Sequence, residues 1–354
     1  MAYEIADKLK KIAAYDPIEG NYAIRLDANE SCYNINEVIG DKIAEAIKNV
    51  ALNRYPDPMA KDVVNTFADY YGISSDTVTA GNGSDELISI ISSCFLEKGN
   101  SVLTLAPDFS MYAFYGSLYE LDVHTLNKNE DLNITVDTII DYCNSNNIKA
   151  LIFSNPCNPT SLGIEKDEII RLIKSVSCLV ILDEAYMDFW DQSILDRVNE
   201  FDNLIILKTC SKAIGIAAVR LGFAVACPKI TSMLRTVKSP YNTDSVSQII
   251  GKTILSEKVL LTEYRKKLID SRTQLNAEIK KLSEKYSILE EVYNSVTNFV
   301  FIKTSSAKAI HTKLLEKSIA VRGFDGYLRI NAGTEEENNA VIKALEEILN
   351  ELDS

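Results

Sequence analysis

Four short apolar runs in the middle of the chain constrain its fold most: Ser101–Ala106, Lys149–Ser154, Cys178–Asp183 and Leu204–Lys208. Each is rich in β-branched residues, and each is continuously apolar instead of alternating. Strands with that texture are buried on both faces. The segments between them, such as Asp167–Lys174, place apolar residues at helical spacing. Together they predict an α/β fold, a mainly parallel sheet between layers of helices. In such a sheet ligands bind beyond the carboxyl ends of the strands. Chemistry is therefore expected in the residues that directly follow each run.

Beyond Tyr241 the pattern changes. Leu260, Leu261, Tyr264, Leu268, Leu275, Ile279, Leu282 and Tyr286 recur mostly at steps of three and four, predicting one long amphipathic helix. Strand-like and helical pieces follow: Asn298–Lys303, a helix around Ile310–Lys317, Ile319–Arg322, Tyr327–Asn331 and a last helix from Thr334. This predicts a smaller α+β unit. The expected limits are 1–47 for an N-terminal arm with part of the small unit, 48–245 for the large unit, and 246–354 for the rest of the small one. A chain of 354 residues is long enough for such cores, and no internal repeat points to a solenoid.

A net charge of −13 argues against a general nucleic-acid binder, because a phosphate backbone needs a basic surface. A few placed arginines can still reverse the field locally for a small anion. The seven cysteines form no Cys-x-x-Cys pair, which favours free thiols over a disulfide framework. Residues 1–11 contain no apolar signal core, and no apolar run approaches the ~20 residues of a membrane span. A soluble cytoplasmic protein without a membrane partner is expected.

Four segments carry the candidate chemistry. Gly81-Asn82-Gly83-Ser84-Asp85-Glu86 follows the strand-like Thr77–Thr79 and precedes an apolar helix. Its glycines allow a tight turn, Ser84 is a good helix N-cap, and the free N–H groups of a helix start can hold a phosphate. Asp85 and Glu86 would oppose an anion unless their side chains turn away. By itself the segment reads first as an ordinary capped helix with acids in its first turn. Asn155-Pro156-Cys157-Asn158-Pro159-Thr160 ends the second strand with a forced turn, from which the Asn158 amide can donate to a ligand oxygen. Asp183 sets a carboxylate at the tip of the third strand, with Tyr186 and Phe189 following. A helix cap, an ion pair or Mg²⁺ ligation would also use such an acid. Lys212 closes the Leu207–Lys212 run, beside Ser211 and eight residues before Arg220, whose fork suits phosphate. A lone lysine there would be a surface residue, but the combination is what pyridoxal phosphate requires. An aldehyde needs an amine, a pyridine nitrogen needs a carboxylate, a phenolic oxygen needs donors, and a phosphate needs N–H groups and an arginine.

With these residues in view, the chain resembles the fold-type I pyridoxal-phosphate enzymes. More closely, it resembles the histidinol-phosphate aminotransferase family of the class II aminotransferases. The likeness runs through Tyr15-Asp16-Pro17, Leu26–Glu30, Tyr55-Pro56-Asp57-Pro58, Gly81–Glu86, Asp183–Tyr186, Asn298-Phe299, Val321-Arg322 and Leu328–Ile330. It implies that Lys212 forms the Schiff base and acts as general base, that Asp183 pairs with the pyridinium, and that Asn158 and Tyr186 meet the phenolic oxygen. Phe109 would stack on the ring. Ser84, Asp85, Ser211 and Arg220 would hold the phosphate, together with Tyr55 from the neighbouring subunit of a homodimer. Arg329, Arg322, Tyr15 and Asn29 would form the substrate pocket. The implied reaction moves the amino group of L-histidinol phosphate to 2-oxoglutarate, a step of histidine biosynthesis. Two related activities share the frame: an aromatic amino acid aminotransferase and a lyase similar to threonine-phosphate decarboxylase. The chain departs from the family at Cys157 and Ser161, in the Gly215–Val219 stretch, and at Ser31-Cys32, where a proline is usual. The first two departures are expected to reshape the substrate pocket.

Overall fold

The computed structural model describes residues 3–10 and 17–353. Twelve strands are described: β1 (Ile24–Leu26), β2 (Val78–Gly81), β3 (Ser101–Ala106), β4 (Asp122–Asn127), β5 (Ala150–Ser154), β6 (Leu179–Asp183), β7 (Leu204–Thr209), β8 (Gly222–Ala226), β9 (Glu291–Val292), β10 (Phe299–Lys303), β11 (Ile319–Phe324) and β12 (Tyr327–Asn331). Seven form one sheet in the order β2-β8-β7-β6-β5-β3-β4. Strands β7, β6, β5, β3 and β4 are parallel, whereas β8 runs antiparallel to both β7 and β2. The expected mainly parallel sheet between helices is present.

The apolar runs explain why these strands sit centrally. All of β5 is buried, as is all of β7, so both faces need cover. Helix Lys166–Ser175 covers one face with Ile169, Ile170, Leu172 and Ile173. Helix Gly83–Cys94 covers the other with Leu87, Ile88 and Ile91. Burying each such side chain contributes about 1.5–3 kcal/mol.

The remaining strands form a second sheet, β1-β11-β12-β10-β9. It is antiparallel except for the β1–β11 pair. Its core holds Val300, Ile302, Val321, Leu328 and Ile330 against the helix Glu335–Asp353. The long helix Lys258–Lys285 belongs to both cores. Leu261 packs under the large sheet, while Leu275, Ile279 and Leu282 pack on the small one. The packing therefore does not divide at 47/48 or 245/246. Ile35 and Ile43 on one side, and Ile254 and Leu255 on the other, lie in the large core. A continuous helical stripe gives no sequence mark at the point where its neighbour changes.

All seven cysteines are free thiols. Among the described residues no helix is long and apolar enough to cross a membrane, and no group of three or more His, Cys, Asp or Glu is placed to hold a metal ion.

Candidate active site

The parallel strands β3, β5, β6 and β7 end at one edge of the large sheet. The residues after them face the small sheet across a cavity of about 370 Å³. Asp183, Tyr186, Ser211, Lys212 and Arg220 line it, as do Ser84, Asp85, Phe109 and Asn158. Asn29, Arg322 and Arg329 complete the other wall. Tyr55 does not reach it. This residue is 80% exposed and stacks on Tyr241 at 4.5 Å. Tyr15 lies outside the described residues.

Lys212 leaves the turn after β7, and its ammonium donates to the Ala28 carbonyl at 2.9 Å. Burial pushes its pKa down to about 8, helped by the nearby charge of Arg329. A lysine so tuned has a sizeable neutral fraction near neutrality, which a nucleophile or base needs. Asp183, at the tip of β6, is 4% exposed. It accepts from the Tyr112 hydroxyl at 2.8 Å and from the Ala185 N–H at 3.0 Å. Burial raises its pKa to about 6 against the pull of those two donors.

Asn158 and Tyr186 are fixed from behind. Arg329 donates through Nη1 to Asn158 Oδ1, so the Asn158 Nδ2 end is left to serve as a donor. Arg329 Nη2 donates to the Asp27 carbonyl at 2.6 Å. The Tyr186 hydroxyl accepts from Asn29 Nδ2 at 2.9 Å, and burial raises its pKa to about 12. Asn29 Oδ1 is itself buried with no partner among the described protein atoms.

At the opposite end, helix Gly83–Cys94 points its first turn at Arg220. The cap residue is Asn82, not Ser84 as expected, and it makes no side-chain cap bond. Ser84 sits one position inside the helix, where its N–H has no helical acceptor. Glu86 turns back to accept from the Asn82 N–H at 2.7 Å and from Asn242 Nδ2 at 2.8 Å. Asp85 faces Arg220 at 3.5 Å. Two glycines make this approach possible. A Cβ on Gly83 would lie 2.6 Å from Arg220 Nη2, and one on Gly222 would lie 2.6 Å from Gly83 C and Ser84 N. Exposed N–H groups beside a guanidinium form an anion cradle, which fits the phosphate expected there.

The small sheet contributes arginines in register. Arg322 on β11 stands opposite Arg329 on β12, so both side chains share one face of the pair. The Arg329 guanidinium lies between Phe299, at 5.4 Å, and Phe324, at 5.8 Å.

Cys157 and Ser161 do not line the cavity, contrary to expectation. Ser161 takes a left-handed φ of 63° at the position where the family usually has glycine. Its hydroxyl lies 2.7 Å from those of Ser295 and Thr297 and is held there, away from the site. Tyr112 and Phe324 are site residues that the sequence analysis missed. Tyr112 lies in the helix Met111–Leu118, and its ring meets that of Phe109, which precedes the helix, at 5.5 Å, a contact that helical spacing does not announce. Phe324 follows Arg322 by two on β11, the same-face spacing of a strand.

Residues 22–345 match the family of class I and II aminotransferases. The chain belongs to that family. Among relatives, this aminotransferase chain is similar to the histidinol-phosphate aminotransferase of Clostridium novyi (strain NT), with 40% identity over 342 residues and 95% of each chain covered. The fold is that of the histidinol-phosphate aminotransferase from Sinorhizobium meliloti, solved in complex with pyridoxal-5'-phosphate, with TM-score 0.88, 20% identity and 99% of each chain covered. The L-threonine-O-3-phosphate decarboxylase from Porphyromonas gingivalis has the same fold, with TM-score 0.75, 22% identity, and 92% of this chain and 99% of that one covered. The aminotransferase fold thus serves both reactions and does not by itself choose between them.

Proposed function

We propose that the protein is a pyridoxal-phosphate-dependent histidinol-phosphate transaminase, moving the amino group of L-histidinol phosphate to 2-oxoglutarate in histidine biosynthesis. The observation that carries this reading is the meeting in one cavity of a half-buried Lys212, the carboxylate of Asp183 and the in-register arginines Arg322 and Arg329. Similarity to histidinol-phosphate aminotransferases over 95% of the chain supports the choice of substrate.

Bound in this cavity, pyridoxal phosphate supplies an aldehyde for amines and a ring that takes up electrons from the substrate's carbon. Ser84 and Asp85 N–H groups, Ser211 and Arg220 hold the phosphate. Phe109 covers the ring face, and Asn158 and Tyr186 donate toward the phenolic oxygen. Asp183 would keep a proton on the ring nitrogen, and its bonds from Tyr112 and the Ala185 N–H favour its ionised form. Lys212, its pKa lowered to about 8 by burial, would be the amine that meets the aldehyde and, when neutral, the base placed to take a proton from the substrate carbon. Arg329 and Arg322, with Tyr15 and Asn29, receive the anionic group of either substrate. Tyr55 serves the cavity of a second copy, which its exposure and its place outside the lining of its own cavity support. The working form is then a cytoplasmic homodimer.

The test is glutamate production from 2-oxoglutarate with three donors: histidinol phosphate, phenylalanine and threonine phosphate. Histidinol phosphate is expected to be the best donor, and Lys212→Ala is expected to remove its turnover. Glutamate from phenylalanine alone, or carbon dioxide released from threonine phosphate, would overturn the assignment.

A further inference from the structure

Asp108 lines the cavity and has no part in the chemistry above. It follows β3 by two residues, next to Phe109. Its Oδ1 accepts from the Phe109 N–H at 2.7 Å and from the Ser154 hydroxyl. Its Oδ2 accepts from the Ser154 N–H at 3.2 Å. The Ser154 oxygen in turn accepts from the Asn158 N–H at 3.1 Å. One carboxylate thereby reaches, directly or through one hydroxyl, the backbones of two ring-holding residues in the loops after different strands.

The same loops are joined a second time. Lys128, just beyond β4, donates to the Pro107 carbonyl at 2.9 Å and to Cys157 Sγ at 2.9 Å. Its ammonium is the positive charge that offsets Asp108. Burial pushes the Asp108 carboxyl up, while Lys128 and the Ser154 bonds pull it back. Donors on one carboxylate from two strand ends fix a distance better than separate neutral bonds would, because charge-assisted bonds are shorter and stronger.

We propose that Asp108 is a positioning residue that sets the gap between the Phe109 ring and the Asn158 amide, acting on Asn158 through Ser154. The role rests on the functional reading above, in which Phe109 and Asn158 hold pyridoxal phosphate. Asn158 is gripped at two points, its side-chain Oδ1 by Arg329 and its backbone by Ser154. Removing the second grip lets the amide swing about the first, and donation to the phenolic oxygen weakens. Less donation to an ionised oxygen favours its protonated form.

The experiment uses the full chain loaded with pyridoxal phosphate. Three quantities are read for wild type, Ser154→Ala and Asp108→Ala: the pH midpoint of the bound cofactor's absorption change, its dissociation constant, and the melting temperature of the cofactor-free protein. Ser154→Ala is expected to raise the midpoint, and Asp108→Ala to raise it further and weaken cofactor binding about tenfold. An unshifted midpoint in Ser154→Ala overturns the proposal, even with a lowered melting temperature. That variant decides the matter if Asp108→Ala does not fold. Failure of the wild-type protein to take up pyridoxal phosphate overturns the functional reading and this role together. Wild-type uptake with an unshifted variant overturns this role alone.

Discussion

At the Arg220 end of the cavity the protein presents mostly backbone, whereas at the Arg329 end it presents side chains. The first end is a helix start pressed against β8, where Gly83 and Gly222 leave room for nothing larger. The second is a face of the β11–β12 pair carrying Arg322, Phe324 and Arg329. A backbone cradle recognises an anion by the direction of its N–H groups and tolerates no change of shape. A side-chain wall recognises by charge and can be altered one residue at a time. The constant group of a reaction suits the first kind of surface, and groups that differ between substrates suit the second.

The contrast can be broken most severely at Arg329. Arg329→Met should lower kcat/KM about 100-fold or more, because it removes a buried charge bonded to Asn158 and the Asp27 carbonyl. It should also raise the pKa of Lys212 above about 8, since a neighbouring positive charge no longer disfavours the ammonium. The pH dependence of Lys212 reactivity in cofactor-free protein measures this. An unmoved midpoint would mean that burial alone tunes the lysine.

Next comes Gly222→Ala. Its methyl meets backbone at 2.6 Å, so overpacking of about 1–3 kcal/mol and a cofactor affinity lowered about tenfold are expected. Gly326→Ala is the control: φ is +73° with nothing within 4 Å, so it should cost about 1–2 kcal/mol of strain and leave cofactor affinity alone. Equilibrium unfolding and cofactor titration of the two variants separate fit from strain.

Tyr112→Phe removes one donor from Asp183. The carboxylate, already raised to about 6, should move higher, because a hydrogen bond to the ionised form had held it down. The acid limb of the kcat/KM profile should shift to higher pH, with a loss of about tenfold below it. Arg322→Met should do least, a several-fold rise in KM for the anionic substrates with kcat nearly unchanged. A large fall in kcat there would dissolve the distinction between the two ends.

The backbone end was legible in the sequence because its requirement is written as residue type: glycine, serine and arginine in fixed places after strands. Strand β3 occupies Ser101–Ala106, as its apolar run implies. Strand β4, Asp122–Asn127, left no such mark, since it lies at the sheet edge with half its residues exposed. Strand β8, Gly222–Ala226, is fully buried yet runs against its neighbours, and an apolar run carries no sign of direction. Tyr112 and Asp108 went unread for another reason. Each acts through a contact with a residue 46 or more positions away, Ser154 for one and Asp183 for the other. Only the folded sheet brings those partners together. The expected limits at 47/48 and 245/246 fall within or at the start of the helices Asn36–Lys48 and Ser245–Leu255, whose Ile43, Ile254 and Leu255 pack in the large core.

The grip of Arg329 on Asn158 also bears on how this enzyme could diversify. One guanidinium both lines the cavity and holds Asn158, a residue assigned above to the cofactor ring. A mutation there cannot retune preference without disturbing the chemistry common to every substrate. Drift toward new amines is expected at Arg322, which lines the same wall, ahead of Phe324, whose ring meets the Arg329 guanidinium at 5.8 Å. Libraries aimed at altered donors should start at Arg322 and leave Arg329 untouched.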